Sequence, residues 1–515
     1  SDTGSLAASD LNSLDSKTSG SVTTSTSLAT LTGSVSALNT AYGSGGLTIQ
    51  GDEAITITGS AVTVAAADLN LLNSYTSGSI DADNVAKLTG SVADLNTAFG
   101  AKAASGSNGI DFGGSSGAAD QAVEITDATV LAVDLITLNG NTSGTIDAST
   151  LSEIEGTAAN ANTIYDTKSG GDGFTGIGDE SITLTDTTVG AAALIDLYTN
   201  GTSGVIDAST VHTITGTTAN ANTIYDQTSK FTGLGTENIT IQGETNNTLA
   251  VADLNTLNGN TTGNIDAGTV TTLTGVISAL NTAYAASAST GDGISNLGNE
   301  AITLGDTSVT DVAALNTLNG NTTGLIDAGT NVTSFSGSIS TLNIMFAAAG
   351  NSGDKINFGG SNGAATQTVT ITDTTDVSVT ALNTLNDNTT GNIDATNVTS
   401  LASASISDIK TLLTNGNNTT NNFAATSFQS LSTVAVSGTS VSVTDLNDAI
   451  EQAVTATSGT ATVFSVASGA TITTGDDAEF TALRGHETNG NIAITDQNLT
   501  VSSGFITVDK ANLLN

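Results

Sequence analysis

The sequence predicts a mainly β fold, an elongated parallel β-solenoid built from ~60-residue repeats of two half-units each, with short helical turns at the corners of its rungs. Three observations carry that expectation. A phrase recurs about every 60 residues, short segments alternate apolar and polar residues, and Ser, Thr, Asn, Gly and Ala supply the bulk of a chain in which helix-clothing Lys, Glu, Arg and Gln are scarce.

The phrase Gly-x-Ile-Asp-Ala and its variants place aspartates at Asp81, Asp147, Asp207, Asp266, Asp327 and Asp394, spaced by 66, 60, 59, 61 and 67 residues. The two long intervals hold related inserts at 110–126 and 356–372, so variation is confined to a loop, as stacked repeats prefer. A leucine-type position divides each unit again, through Leu11, Leu38, Leu69, Leu95, Leu135, Ala161, Leu194, Ala221, Leu254 and Leu280 and onward to Leu446. Each repeat is therefore a pair of half-units, one with a fixed connection and one with an adjustable loop.

Within a half-unit, Val85, Leu88, Val92, Leu95 and Phe99 follow helical spacing. Gly90 interrupts them, as do its counterparts Gly33, Gly156, Gly216, Gly275 and Gly337, and an interior glycine costs a helix about 1 kcal/mol. The expectation is extended chain before the glycine and a short helix after it, with Ser91 as cap and Asp94 completing a capping box. The other half-unit supplies period-two strands at 54–59, 181–186 and 369–373, then a short turn that Gly320 should stop in its copy at 309–320.

Stacking such rungs would pair each strand with its equivalents above and below. The aromatic of each unit then forms a structural column, Tyr42, Phe99, Tyr165, Tyr225, Tyr284 and Phe346. The asparagines Asn39, Asn96, Asn162, Asn222, Asn281 and Asn343 fit a hydrogen-bonded ladder satisfying corner carbonyls, against the plainer reading of exposed helix residues. The array is expected over 1–400 as six to seven units, with 401–515 a diverged terminal or docking segment. The last residues, "VDKANLLN", match "AAADLNLLN" at 65–73, so the chain stops in phase with its start, as a piece of a longer array or a head-to-tail subunit would.

Acidic residues number 49 against 9 basic ones, a formal charge of −40, which repels phosphates and excludes nucleic acid and anionic membranes as partners. No apolar run approaches the roughly 18 residues of a membrane span, so no membrane insertion is expected. With no Cys, neither disulfides nor thiolate metal sites are available. The opening residues lack the pattern of a secretory signal.

No catalytic set is expected. His212 and His486 share no motif with a nucleophile and an acid, and Arg484, His486 and Glu487 read as a polar loop. Cofactor and metal residues are expected to be none, with Ca²⁺ as the alternative. The Ile-Asp-Ala aspartates and the stretches "GGDGFTGIGDE" (170–180) and "GDGISNLGNE" (291–300) carry oxygen ligands, yet lack a strict nine-residue repeat, and a turn or cap role for Asp ranks first. Asn-x-Ser/Thr triplets at Asn141, Asn260, Asn321 and Asn388 accept glycans only in a host that uses them.

The phrases "DLNTLNGNTTGNIDAGTVTTLTG" (253–275) and "SALNTAYAAS" (278–287) resemble those of very long, acidic, Thr- and Asp-rich extracellular repeat proteins of marine bacteria, cyanobacteria among them. The likeness covers residues 10–400 and brings no catalytic residues with it. It implies secretion and an extracellular or cell-surface role. The expected function is structural: a non-enzymatic subunit or segment of a surface fibre, filament or matrix, self-associating head to tail, with surface polysaccharide as a further partner. The alternative is an adhesin or ice-binding β-solenoid module, for which Thr56/Thr58, Thr183/Thr185 and Thr370/Thr372 supply threonine pairs. A polysaccharide-cleaving enzyme ranks third, because basic residues to hold acidic glycans are scarce.

Overall fold

The computed structural model describes residues 4–501, apart from 104–107, 114–118, 169–172, 288–291, 364, 419–421 and 460–461. The closing "VDKANLLN" therefore lies outside the described residues. The chain divides into two compact units, Ser1–Thr240 with Asn260–Asn264, and Ile241–Gly259 with Ile265–Asn515. The same coil recurs in both.

The expectation of a mainly β, elongated parallel β-solenoid is overturned. The chain is mixed α/β, with 16 helices making it 35% helical and 38 short strands spread over nine small sheets among the described residues. Two physical causes account for the difference. What was read as corner turns are helices of about three turns each, and the strand ladder does not keep step with them.

Helix Val92–Gly100 shows why the helices form from Thr- and Asn-rich sequence. Ser91 accepts from Asp94 N at 3.1 Å, so the predicted cap is present, but Asp94 Oδ2 accepts from the Ser91 hydroxyl at 2.7 Å and not from its N–H, so the expected capping box does not close. Val92, Leu95, Ala98 and Phe99 are buried on one face. Thr97 points outward and its hydroxyl donates to the Ala93 carbonyl one turn back, a bond that leaves the helical one intact. Weak propensity is overridden by packing, as is usual for short helices. Gly320 does not stop its helix; it sits inside the last turn of Val312–Asn321. Ala191–Asp196 continues as a π turn, Leu197–Gly201, where the sequence carries one residue more than its counterpart Val251–Asn260 before the following Thr.

The strands pair in parallel and always with the next turn of chain. In the first unit Thr129–Leu131, Glu153–Gly156, Ser181–Leu184, Ile206–Asp207 and Phe231–Thr232 make one sheet, with Val130, Ile154, Ile182, Ile206 and Phe231 in register toward the core. In the second unit Leu249, Leu273, Ile302, Ile326 and Ile356 form the equivalent row. The first strand of such a sheet runs directly into its helix at Ala132, the second ends at Gly156 just before the helix from Ala158, and the third ends at Leu184, well ahead of Ala191. Each pairing step thus slides backward relative to the helices. After five strands the sheet runs out and another has begun, which is why no single β face builds up.

Leu11, Leu38, Leu69, Leu95 and Leu135 in the first unit, and Leu254, Leu280, Leu315, Leu342 and Leu382 in the second, lie between helix and strand layers, nine of the ten at 0% exposure. Each such burial contributes about 1.5–3 kcal/mol. Close layer contact also explains the recurring glycine at the strand end: a Cβ on Gly156 would sit 2.7 Å from Ala132 Cβ, the start of the preceding turn's helix.

Successive helices pack side by side and are joined by an asparagine ladder. The side-chain amides of Asn12, Asn39, Asn70, Asn96 and Asn162 donate at 2.8–3.0 Å to carbonyls of Ala37, Asp68, Asp94, Asp134 and Ala193, each the third residue of the following helix. Asn255, Asn281, Asn316 and Asn343 do the same in the second unit, to Ala279, Ala314, Thr341 and Ala381. The ladder predicted at corners runs between helices. A second link works in the opposite direction: carboxylates of Asp127, Asp186, Asp306 and Asp373 accept from the first backbone N–H of the preceding helix, at Val92, Ala158, Ile277 and Ile339. A carboxylate at a helix N-terminus also meets the positive end of its dipole.

The ladder yields a signed test. Asn316→Ala should cost about 1 kcal/mol, the net value of one hydrogen bond. Asn316→Asp should cost more near neutral pH, because a carboxylate then faces the Thr341 carbonyl, and less than the alanine variant near pH 3, where the protonated acid can donate its O–H to that carbonyl. Thermal midpoints of both variants against the parent at each pH measure it.

Candidate functional site

The strongest recurring polar constellation is buried, and it gathers around the predicted aromatics. Tyr42, Tyr165, Tyr225 and Tyr284 each end the second helix of a unit, and each hydroxyl donates to a glutamate on the following turn of chain. The acceptors are Glu53, Glu180, Glu237 and Glu300 Oε2, at 3.2, 3.1, 2.9 and 3.0 Å. These glutamates are 0–2% exposed. Backbone N–H groups complete the cradle: Gly51, Gly178, Gly235 and Gly298 donate to the same carboxylates at 2.8–2.9 Å, and Gln50 N adds a bond to Glu53 Oε1. Both carboxylate oxygens of Glu53 and Glu180 accept bonds, whereas at Glu237 and Glu300 the donors converge on Oε2 and Oε1 is buried without a partner.

A third element locks the back of the cradle. Thr76, Thr202, Thr261 and Thr322 donate their hydroxyls to the main-chain carbonyls of those four glutamates, and each hydroxyl accepts from the glycine N–H two residues on. That glycine is obligatory for space: a Cβ on Gly324 would stand 2.1 Å from the Glu300 carbonyl oxygen.

The remaining two units solve the same problem without charge. Phe99 and Phe346 carry no hydroxyl, and Gln121 and Gln367 stand where the glutamates would. Their amides donate to the carbonyls of Phe112 and Phe358 at 2.9 and 2.8 Å, residues supplied by the two long inserts. Phe99 packs on Phe112 and Phe346 on Phe358, with ring centroids 5.3 and 5.2 Å apart. Thr142 locks the Gln121 carbonyl in the same way, whereas Thr389, at the equivalent position, donates to the Ala365 carbonyl and accepts from Gly391 N–H.

The six predicted aromatics thus occupy one equivalent position, but among the described residues no ring contact joins two of them. Tyr42 stacks instead on Tyr75 at 5.7 Å. Sequence reading missed the glutamates, although a signal was present in Gly-x-Glu-x-Ile-Thr at 51–56, 178–183, 235–240 and 298–303, with Glu exchanging for Gln wherever Tyr exchanges for Phe.

The Ile-Asp-Ala aspartates hold turns. Asp81, Asp147, Asp207, Asp266, Asp327 and Asp394 each accept at 2.9–3.1 Å from the N–H two residues on. The Ser149 hydroxyl and N–H hold the Asp147 carboxyl below its ordinary range. Partial burial, with the charges of Asp81 and Asp111, pushes the Asp83 carboxyl up. Among the described residues no group of three or more His, Cys, Asp or Glu is placed to hold a metal; 170–172 and 291 of the two glycine- and aspartate-rich stretches lie outside them. His212 is exposed at a strand start, and His486 lies in helix Asp477–Thr488, where burial lowers its pKa. Arg484 pairs with Glu487. No described helix is long and apolar enough to cross a membrane.

Two tests follow from the cradle. Tyr284→Phe should cost about 1.5–3 kcal/mol by removing a donor from a buried charge, and Phe346→Tyr should cost about 1–3 kcal/mol by burying a hydroxyl opposite no carboxylate; melting midpoints decide. Burial first, then the charge of the paired glutamate, pushes the Tyr165 and Tyr284 hydroxyls well above the ordinary tyrosine range. A pKa raised in the folded state gives stability that is complete below the unfolded value near 10 and is lost as pH rises beyond it, by about 1.4 kcal/mol per pH unit for each such tyrosine. In a Tyr75→Phe/Tyr198→Phe background, which leaves only the four cradle tyrosines, absorbance at the phenolate band should therefore rise together with loss of helical circular dichroism, not before it. No protein-family model matches the chain, and no curated protein is similar enough to count as its relative.

Proposed function

We propose that this chain is a structural repeat protein, a subunit or segment of an extracellular surface fibre or matrix that associates with copies of itself. One observation carries the reading: the recurring polar side chains are spent on bonding one turn of chain to the next. Asparagine amides link helix to helix, Asp127, Asp186, Asp306 and Asp373 cap the helix of the preceding turn, and threonines grip glutamate carbonyls across turns. A binding or catalytic protein gathers its recurring polar groups at a cleft. Here they are distributed evenly, which suits a molecule whose task is cohesion. The likeness to secreted bacterial repeat proteins supports the location.

A water-ordering threonine face gains less support. The outward row runs Ala7, Thr32, Thr56, Asp81 and Asp111, so the hydroxyl pattern is only two threonines long before charge breaks it.

With a charge of −40, copies repel one another at low salt, and association should strengthen as salt or divalent cations screen them. Light scattering and negative-stain microscopy between about 10 and 500 mM salt test this, a range over which the Debye length falls about sevenfold. Growth of ordered assemblies with salt is the expected result. A chain that stays monomeric throughout, with or without calcium, would remove the proposal.

A further inference from the structure

We propose that the six aromatic cores divide the chain into acid-opened and acid-resistant segments: protonation of Glu53, Glu180, Glu237 and Glu300 opens the cradles around them, while the core of Gln367 stays closed. This goes beyond the structural reading and does not depend on whether copies associate.

The argument is one of donors and acceptors. Each of the four carboxylates meets donors only, a tyrosine hydroxyl and backbone N–H groups. A neutral acid adds a third kind of donor, its own O–H, and the group bonded to it that could accept, the tyrosine oxygen, can do so only by giving up the bond its own proton makes to the carboxyl, so a donor is displaced either way. For Glu53 and Glu180 both oxygens already accept, so the new proton displaces a bond. For Glu237 and Glu300, Oε1 is buried with no partner, so the proton would remain unsatisfied there. Water entry is the remedy, and it requires the cradle to open.

Other charges bear on these sites. Asp52 faces the Tyr42 pair, and Asp179 faces the Tyr165 pair. Lys168 Nζ lies beside Gly178. At Tyr225 and Tyr284 the acting charge is that of Glu237 and Glu300. None of these supplies an acceptor inside the cradle. The glutamine cores differ in kind. Gln367 donates to the Phe358 carbonyl and accepts from Thr366 N, with no titrating partner in either bond. Gln121 keeps its bond to the Phe112 carbonyl but also donates to Asp120 Oδ1, so acid weakens one of its two links.

The experiment is amide hydrogen exchange of the full chain, read by mass spectrometry near pH 7 and near pH 3 and expressed as protection after correction for intrinsic rates. Segments 50–53, 178–180, 235–237 and 298–300 should lose about tenfold or more protection in acid, and 365–367 should keep its protection, with 119–121 between them. Loss of general surface charge acts on all six alike, so the difference between cores is the readout. Glu300→Gln, whose amide N–H₂ meets the same shortage of acceptors as the neutral acid, should lose protection at 298–300 already near pH 7 and show no further acid step there, while the other three cradles still open only in acid. Equal loss at 365–367, or no loss at the glutamate cores, overturns the proposal. Should Glu300→Gln fail to give the parent's circular dichroism at neutral pH, the comparison of cores within the parent chain decides alone.

Discussion

The hydrogen bond from an asparagine amide to the third carbonyl of the next helix is the interaction on which the rest of this architecture depends. A turn of this chain cannot cover its own leucines; Leu95 and Leu280 reach zero exposure only because the neighbouring helices and strands close over them. Apolar contact sets no register by itself, since Leu, Ile and Val rows could slide. The amides of Asn96 and Asn281 set it, each reaching one named carbonyl at 2.9–3.0 Å. In turn, Asn141 and Asn321 donate to the free oxygens of those two amides, so the ladder is itself held in place. With helices locked at that spacing, the strands must step backward along the chain to stay paired, and the succession of small sheets follows.

Much of this was legible in the sequence. The two-part repeat, the buried leucine positions, the strands beginning near Ala54, Ser181 and Thr368 and the cap at Ser91 all follow from local rules. Helix length was not legible, because propensity penalises Thr and Asn at positions where Thr97 in fact faces water and Asn96 bonds a neighbour. Nor was the sheet pattern. Pairing of Val130 with Ile154, and of Ile154 with Ile182, is decided by how far the helices hold successive turns apart, and no window of local sequence contains that distance. The aromatic positions were found, whereas their partners were overlooked because Glu180 lies across a variable loop from Tyr165 and stands among many polar residues.

The acidic character of the chain also takes on a different meaning. A charge of −40 suggests a solvated coat, yet a good part of the carboxylates have fixed structural posts. Some cap the preceding helix, as Asp127 and Asp306 do; some close turns, as Asp207 and Asp266 do; and four glutamates are buried under tyrosines. In each post the carboxylate faces backbone N–H groups, for which a lysine or arginine would be useless. Acidity here is in part a consequence of choosing side-chain acceptors to satisfy backbone donors at turns and helix starts.

The two inserts show how tightly such choices are coupled. Replacing Glu by Gln in a short unit would leave an amide N–H₂ without an acceptor, since the cradle offers only donors. Replacing Tyr by Phe alone would leave a buried carboxylate short of one. Where both exchanges occur, at Phe99 with Gln121 and Phe346 with Gln367, the chain is also longer, and the added segment brings the carbonyl that Gln needs and a second ring to fill the space beside the first. Three changes that look independent along the sequence are one change in the core. The longer loop is therefore not idle variation: it is the part that lets an aromatic core exist without a charge at its centre.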